Sequence, residues 1–228
     1  MLDPRKISVV IGASRGIGLE LTKLLAKDPQ NQVVATMRKP FDLKIPNVQV
    51  MELDQTKPDT IKRAATKVNE ADTLIINAGI GEMELLTQIP SSRLLEYLDT
   101  NVVGPHRVIN AFLQALRARA TRRIIYISSS VGSMTMQVGN QIGIRGPYAV
   151  SKAAGNMLVV QTHNELFQEG FTVVAIHPGW AATDMGQLAG PGAMPTLESA
   201  QHVLKVVAGL KQSDGARFFN FDGTMLPW

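Results

Sequence analysis

Apolar residues fall into short continuous runs, separated by longer stretches in which they recur every three or four positions. The runs are "ISVVIG" (7–12), "QVVATM" (32–37), "VQVMEL" (48–53), "DTLIIN" (72–77), "RIIYIS" (123–128) and "TVVAIH" (172–177), with "RFFNF" (217–221) as a last one. They are rich in β-branched residues and bounded by glycine or polar punctuation, which predicts buried strands. The amphipathic stretches 17–27, 59–70, 91–119, 148–169 and 196–210 predict helices. Asp59 and Ser91 stand where N-caps are expected, although neither completes a capping box. Strand–helix alternation with continuous apolar strands predicts an α/β fold: a doubly wound parallel sheet of about seven strands, flanked by helices on both faces. No repeat, linker or composition break divides residues 1–228, so a single domain is expected.

Two segments break the rhythm. Residues 131–147 are rich in glycine and methionine, and residues 180–195 in glycine, proline and alanine. Each follows the C-terminal end of a predicted strand, the edge at which open α/β sheets bind ligands. Met134, Met136, Trp180, Met185 and Leu188 are candidates for an apolar substrate pocket there, or for ordinary loop packing.

Composition narrows the chemistry. Hydrophobic residues make up 45% of the chain, enough for a sizeable core. There is no cysteine, which excludes disulfides, thiolate metal sites and cysteine nucleophiles. That fits a reducing compartment, and a cytoplasmic location is expected. No stretch approaches the roughly 20 apolar residues of a membrane span, and the N-terminal "MLDPRKISVVIGAS" reads as a first strand, not a signal peptide. The net charge is +4, and the densest basic group, "RARATRR" (117–123), falls at a predicted helix end. No aromatic residues are interleaved to stack bases, so a nucleic-acid partner is not expected. His106, His163, His177 and His202 show no paired ligand spacing, so no metal is expected.

"VVIGASRGIGLEL" runs from strand through glycine loop to helix. Gly12, Gly16 and Gly18 allow a tight turn and a close approach of pyrophosphate to the helix N-terminus, although their G-x-x-x-G-x-G spacing departs from G-x-G-x-x-G. The loop by itself could equally be a turn that binds nothing; its position after the first strand favours a nucleotide. The second strand ends without the carboxylate that would pair with the ribose of NAD, and Arg38 and Lys39 stand there instead. With Arg15 in the glycine loop, two guanidinium groups are expected to converge on a 2′-phosphate, which predicts NADP(H).

Given a nicotinamide cofactor, "YAVSK" (148–152) gains a chemical reading. Hydride transfer to a carbonyl leaves an alkoxide that needs a proton. A Lys152 ammonium near the Tyr148 phenol is expected to lower its pKa from about 10. "YISSSVG" (126–132) places Ser128, Ser129 and Ser130 at the ligand edge of the sheet.

Together these motifs resemble the short-chain dehydrogenases/reductases, over nearly the whole chain. The end, "GARFFNFDGTMLPW", resembles their compact carbonyl-reductase subgroup related to bacterial C-factor proteins and fungal ketoreductases. The resemblance implies a single Rossmann-type domain and an NADP(H)-dependent reduction of a carbonyl substrate, or the reverse oxidation. "GASRGIG" matches the cofactor loop, implying contacts from Gly12, Ser14, Arg15, Gly16, Ile17 and Gly18; "NAG" implies Asn77, Ala78 and Gly79; Asp54 matches the adenine position. "PGWAAT" implies Pro178, Gly179 and Thr183 at the nicotinamide carboxamide. Ser129, three residues before Gly132, fits the serine that polarises the carbonyl; Tyr148 donates the proton, and Lys152 binds the ribose and tunes the phenol. Asn101 in "NVVG" is implied to hold a water in the relay to the lysine. Ile11 and Ile76 replace a threonine and an asparagine that are usual in the family, and the serine-to-tyrosine segment carries extra residues, including Gly139, Gly143 and Gly146. An epimerase using the same residues, or a non-catalytic dinucleotide-binding signalling protein, is an alternative. The family implies a homodimer or homotetramer through 91–119 and 148–169.

Overall fold

The computed structural model describes residues 5–228; residues 1–4 of the expected first-strand region lie outside it. The strands are Lys6–Ile11 (β1), Asn31–Met37 (β2), Val48–Glu52 (β3), Thr73–Ile76 (β4), Arg123–Ile127 (β5), Thr172–His177 (β6) and Phe218–Asn220 (β7). They form a seven-stranded sheet in the order β3-β2-β1-β4-β5-β6-β7, and every neighbouring pair is parallel. The helices are Gly16–Leu25 (α1), Pro58–Ala65 (α2), Ser91–Leu98 (α3), Gly104–Arg117 (α4), Met134–Gln137 (α5), Pro147–Leu166 (α6), Asp184–Gln187 (α7) and Thr196–Gly209 (α8). The expected doubly wound sheet is therefore what forms.

Strand side chains alternate between two cores. Val9 and Ile11 pack with Ile61 of α2, Val108 and Phe112 of α4 and Val159 of α6. Val10, between them, packs with Ile17 and Leu21 of α1 and with Ala200 and Val203 of α8 on the other face. Because both faces are covered, the strands read as unbroken apolar runs. Strand order reverses between β1 and β4, so the loops leaving their C-terminal ends diverge and open a crevice.

The structure corrects several expectations. The single helix expected over 91–119 is interrupted by a π-helical turn, Asp99–Val103, between α3 and α4. Pro105, in the first turn of α4, has no N–H and cannot complete an ordinary helical bond to the Asn101 carbonyl. Asp59 lies inside α2, whose N-cap is Lys57 followed by Pro58, and Ser91 is already helical after an extended Pro90. At α2, the fixed φ of Pro58 at the first helical position starts the turn earlier than a side-chain cap at Asp59 would. Asp54, expected at the end of the third strand, lies in the loop after β3, which ends at Glu52. Among the described residues, no helix is long and apolar enough to cross a membrane.

Candidate active site

Loops leaving β1, β2, β4, β5 and β6 border one cleft of about 1380 Å³. At one end is the glycine loop. Gly12 has φ +84°, and a Cβ there would stand 2.8 Å from the Ala78 backbone, so only glycine lets the loops after β1 and β4 meet. Asn77 braces this contact, its Nδ2 donating to the Gly12 carbonyl at 2.8 Å. α1 begins directly behind the loop with no side-chain cap and no acid in its first turn. Its first N–H groups and its positive dipole end are left for an anion.

Gly12, Ser14, Arg15, Gly16, Ile17, Arg38, Asp54, Asn77, Ala78, Gly79, Pro178, Gly179 and Thr183 all border the cleft, as do Ser129, Tyr148 and Lys152. Gly18 and Asn101 do not. A Cβ on Gly18 would fall 2.1 Å from the Gly12 carbonyl oxygen, so this glycine permits close packing beneath the loop. The expected convergence of two arginines is also modified. Arg38 stays at the cleft, but Arg15 is ion-paired with Asp184 of α7, both side chains being exposed. Burial tends to raise the Asp54 carboxyl, but hydrogen bonds from Thr56 and the charges of Lys57 and Arg38 outweigh it and hold the group below its ordinary value. Thr183 caps α7, its hydroxyl accepting from Gly186 N–H at 3.0 Å.

Pro147 starts α6, which puts Tyr148 in its first turn and Lys152 one turn further on the same face. Both are buried, at 7% and 4% exposure. Lys152 Nζ donates to the Ile127 carbonyl at 2.8 Å and lies 5.7 Å from the centre of the Tyr148 ring. Burial pushes the Tyr148 phenol up to about 12, and a hydrogen bond from Ser129 opposes it. Burial likewise pulls the Lys152 ammonium down to about 7. The phenol was expected to be lowered by the ammonium; instead it is raised, because loss of hydration dominates in this enclosed corner.

Of the serine trio, Ser128 is turned into the core, where its hydroxyl donates to Asn156 Oδ1 at 2.6 Å. Ser129 is the one that reaches Tyr148. Asn101 lies in the π-helical turn, fully buried beneath the cleft. Its side chain is locked to the loop after β4, donating to the Ile80 carbonyl and accepting from the Ile80 N–H, each at 2.9 Å. It also donates to Ser151 Oγ at 2.9 Å.

Three participants escaped the sequence reading. Ser151 sits inside "YAVSK" and ties Asn101 to the Tyr148 carbonyl. Gln55, next to Asp54, donates to the carbonyls of Ala78 and Thr100. Tyr126, read only as an apolar strand position, donates its hydroxyl to the Asn101 carbonyl at 3.0 Å and stands 3.4 Å from Lys152 Nζ. Nothing in a single sequence marks that hydroxyl as pointing to the site.

The other end of the cleft is apolar. Met136, Ile142 and Ile144 from the 131–147 segment line it together with Trp180 and Met185. Of the five candidates, Met134 and Leu188 fall outside the lining and are exposed. Together the cleft offers an anion-binding loop, a buried phenol–serine pair with an amine behind it, and an apolar pocket.

The sequence model of the family described as short chain dehydrogenase matches residues 6–192. An uncharacterized oxidoreductase of Schizosaccharomyces pombe is 33% identical over 100% of both chains. The C-signal protein of Myxococcus xanthus is 39% identical over a segment covering 69% of this chain and 92% of its own. The crystal structure of the NADPH-bound carbonyl reductase from chicken fatty liver superposes with a TM-score of 0.89 at 31% identity, covering 98% of this chain and 94% of that one.

Proposed function

The chain belongs to the short-chain dehydrogenase family, and we propose that, as an oxidoreductase of the carbonyl reductase kind, it uses NADPH to reduce a ketone or aldehyde to an alcohol with Tyr148 as proton donor. The observation that carries this reading is that Ser129, Tyr148 and Lys152 line the same cleft as the uncapped N-terminus of α1, with Lys152 Nζ 5.7 Å from the centre of the Tyr148 ring.

The residues present suit a phosphorylated dinucleotide. The bare end of α1 and the glycine-lined crossing of Gly12 and Ala78 admit a pyrophosphate against backbone. Arg38 supplies the cation for a 2′-phosphate, and no acid at the end of β2 competes for a 2′-hydroxyl. The NADPH of the chicken carbonyl reductase supports the same assignment here. When bound, the cofactor supplies the hydride.

The chain's own residues handle orientation and the proton. The Ser129 and Tyr148 hydroxyls converge to hold the substrate oxygen, and the phenol O–H gives that oxygen its proton as charge develops on it. A phenol held at about 12 stays protonated at neutral pH, as an acid must. The Lys152 ammonium lies 5.7 Å from the centre of the Tyr148 ring and would hold a ribose hydroxyl of the bound cofactor. Met136, Ile142, Trp180 and Met185 select an apolar substituent on the carbonyl.

Following NADPH absorbance against a panel of apolar ketones and aldehydes tests the reading. Tyr148→Phe should lower kcat by about 10²–10⁴-fold with NADPH affinity kept; wild-type turnover by this variant would refute it. Likeness to the C-signal protein favours one second reading, a signalling role on the same scaffold. A panel with no turnover, but with NADPH bound, would select it.

A further inference from the structure

We propose that Tyr126 is a positioning residue of this active site: its hydroxyl, fixed between the Asn101 carbonyl and Lys152 Nζ, orients the ammonium toward Tyr148 and the cofactor pocket. The inference rests on the reading of the cleft given above.

Four observations meet at this hydroxyl. First, Tyr126 is buried on β5 and donates to the Asn101 carbonyl at 3.0 Å. Second, that carbonyl is available because Pro105, four residues on, has no N–H to offer it. Third, Lys152 Nζ lies 3.4 Å from the same hydroxyl and 4.7 Å from the centre of the Tyr126 ring. Fourth, the space for the hydroxyl is made by Gly155, three residues beyond Lys152 on α6, where a Cβ would stand 2.3 Å from the Tyr126 oxygen. A phenol at 126 and a missing side chain at 155 therefore form one fitted unit, built against the lysine.

The chemistry follows from where the protons point. The phenol's hydrogen is committed to the Asn101 carbonyl, so its oxygen can only accept from the ammonium. At 3.4 Å that contact is long, and it acts mainly as a charge–dipole interaction, reinforced by the ring face. One N–H of Lys152 is taken by the Ile127 carbonyl and a second by Tyr126, which leaves the third for the cleft. The link between Asn101 and Lys152 that the family resemblance assigned to a water is here made by a side chain, which cannot exchange or drift. Burial also pushes the Tyr126 phenol well above its ordinary value, followed by repulsion from Tyr148, so it stays a neutral dipole throughout the working range.

Tyr126 thereby stabilises the charged form of Lys152 against its burial. The titratable groups facing the ammonium are Tyr126 from β5 and Tyr148 from its own helix; Ile127, Asn101 and Gly79 present uncharged atoms.

Tyr126→Phe keeps the ring and deletes the hydroxyl. In the protein without cofactor, ¹³Cε-lysine NMR would follow the Lys152 resonance, identified by its loss in Lys152→Met. Its pKa should fall by about one unit in Tyr126→Phe. Gly155→Ala keeps the hydroxyl but displaces it, and should shift the titration in the same direction. In turnover, the alkaline limb of kcat/KM should move to lower pH by a matching amount, since the ammonium is lost earlier. A Lys152 titration unchanged in both variants would overturn the proposal. If instead Tyr148→Phe kept full activity, the assigned reaction would fall, while the NMR titration would still judge Tyr126 by itself.

Discussion

The Ser128 hydroxyl donates to Asn156 Oδ1 at 2.6 Å, which ties the end of β5 to the middle of α6 and leaves the next serine, Ser129, to face Tyr148. Adjacent residues at one strand end thus divide between the core and the cleft.

This division is measurable. Ser129→Ala should lower kcat by about 10²–10³-fold, the range of a lost oxyanion-type donor, with an unchanged melting temperature. Ser128→Ala strands a buried amide oxygen and should cost about 1–3 kcal/mol, seen as a lower melting temperature with kcat nearly kept. Thermal melts and steady-state kinetics on both variants would exchange these assignments if the effects were reversed.

Lys152 makes stability depend on pH. Its pKa is about 10.5 when exposed and about 7 in the fold. Below pH 7 both states hold the proton and the full penalty of the buried charge stands. Between pH 7 and 10.5 the unfolded chain keeps a proton that the folded chain has shed, so stability rises with pH. Lys152→Met should therefore raise the melting temperature at pH 7 by several degrees, for a penalty on the order of 4 kcal/mol, and the gain should vanish near pH 11. Melts across that pH range would show it, and the same variant should have no turnover.

On the proposed reading, cofactor choice depends on Arg38. Arg38→Asp removes the cation at the β2 end and installs a carboxylate. It should raise the KM for NADPH by roughly tenfold or more and lower that for NADH. Arg15→Ala should do less, because Arg15 is engaged with Asp184. An NADPH/NADH ratio unmoved by Arg38→Asp would refute the assignment.

Gly18 carries a structural prediction. Its replacement by alanine must push the Gly12 carbonyl, now 2.1 Å from the new methyl position, and should cost about 1–3 kcal/mol of stability. NADPH affinity, measured by fluorescence, should fall with it, since the displaced carbonyl belongs to the glycine loop.

Much of this was legible along the chain. Apolar runs of strand length gave seven strands within a residue or two, because a parallel sheet buried on both faces needs unbroken apolar segments. Motif spacing marked Tyr148 and Lys152, since one helical turn puts them on one face whatever surrounds them. The π-helical turn at Asp99–Val103 was not legible, because its cause lies partly in Gln55 and Tyr126 taking up the carbonyls of Thr100 and Asn101 from distant strands and loops.

By itself, the sequence determined most of the elements, their alternation and the residue types at the candidate site, because period and spacing are local properties. The tertiary structure alone decided their state. It raised the phenol instead of lowering it, turned Ser128 inward, drew Arg15 to Asp184 and brought Tyr126 to Lys152. Each outcome depends on how much water a group loses and which partner faces it, and both are set by residues far away in the chain.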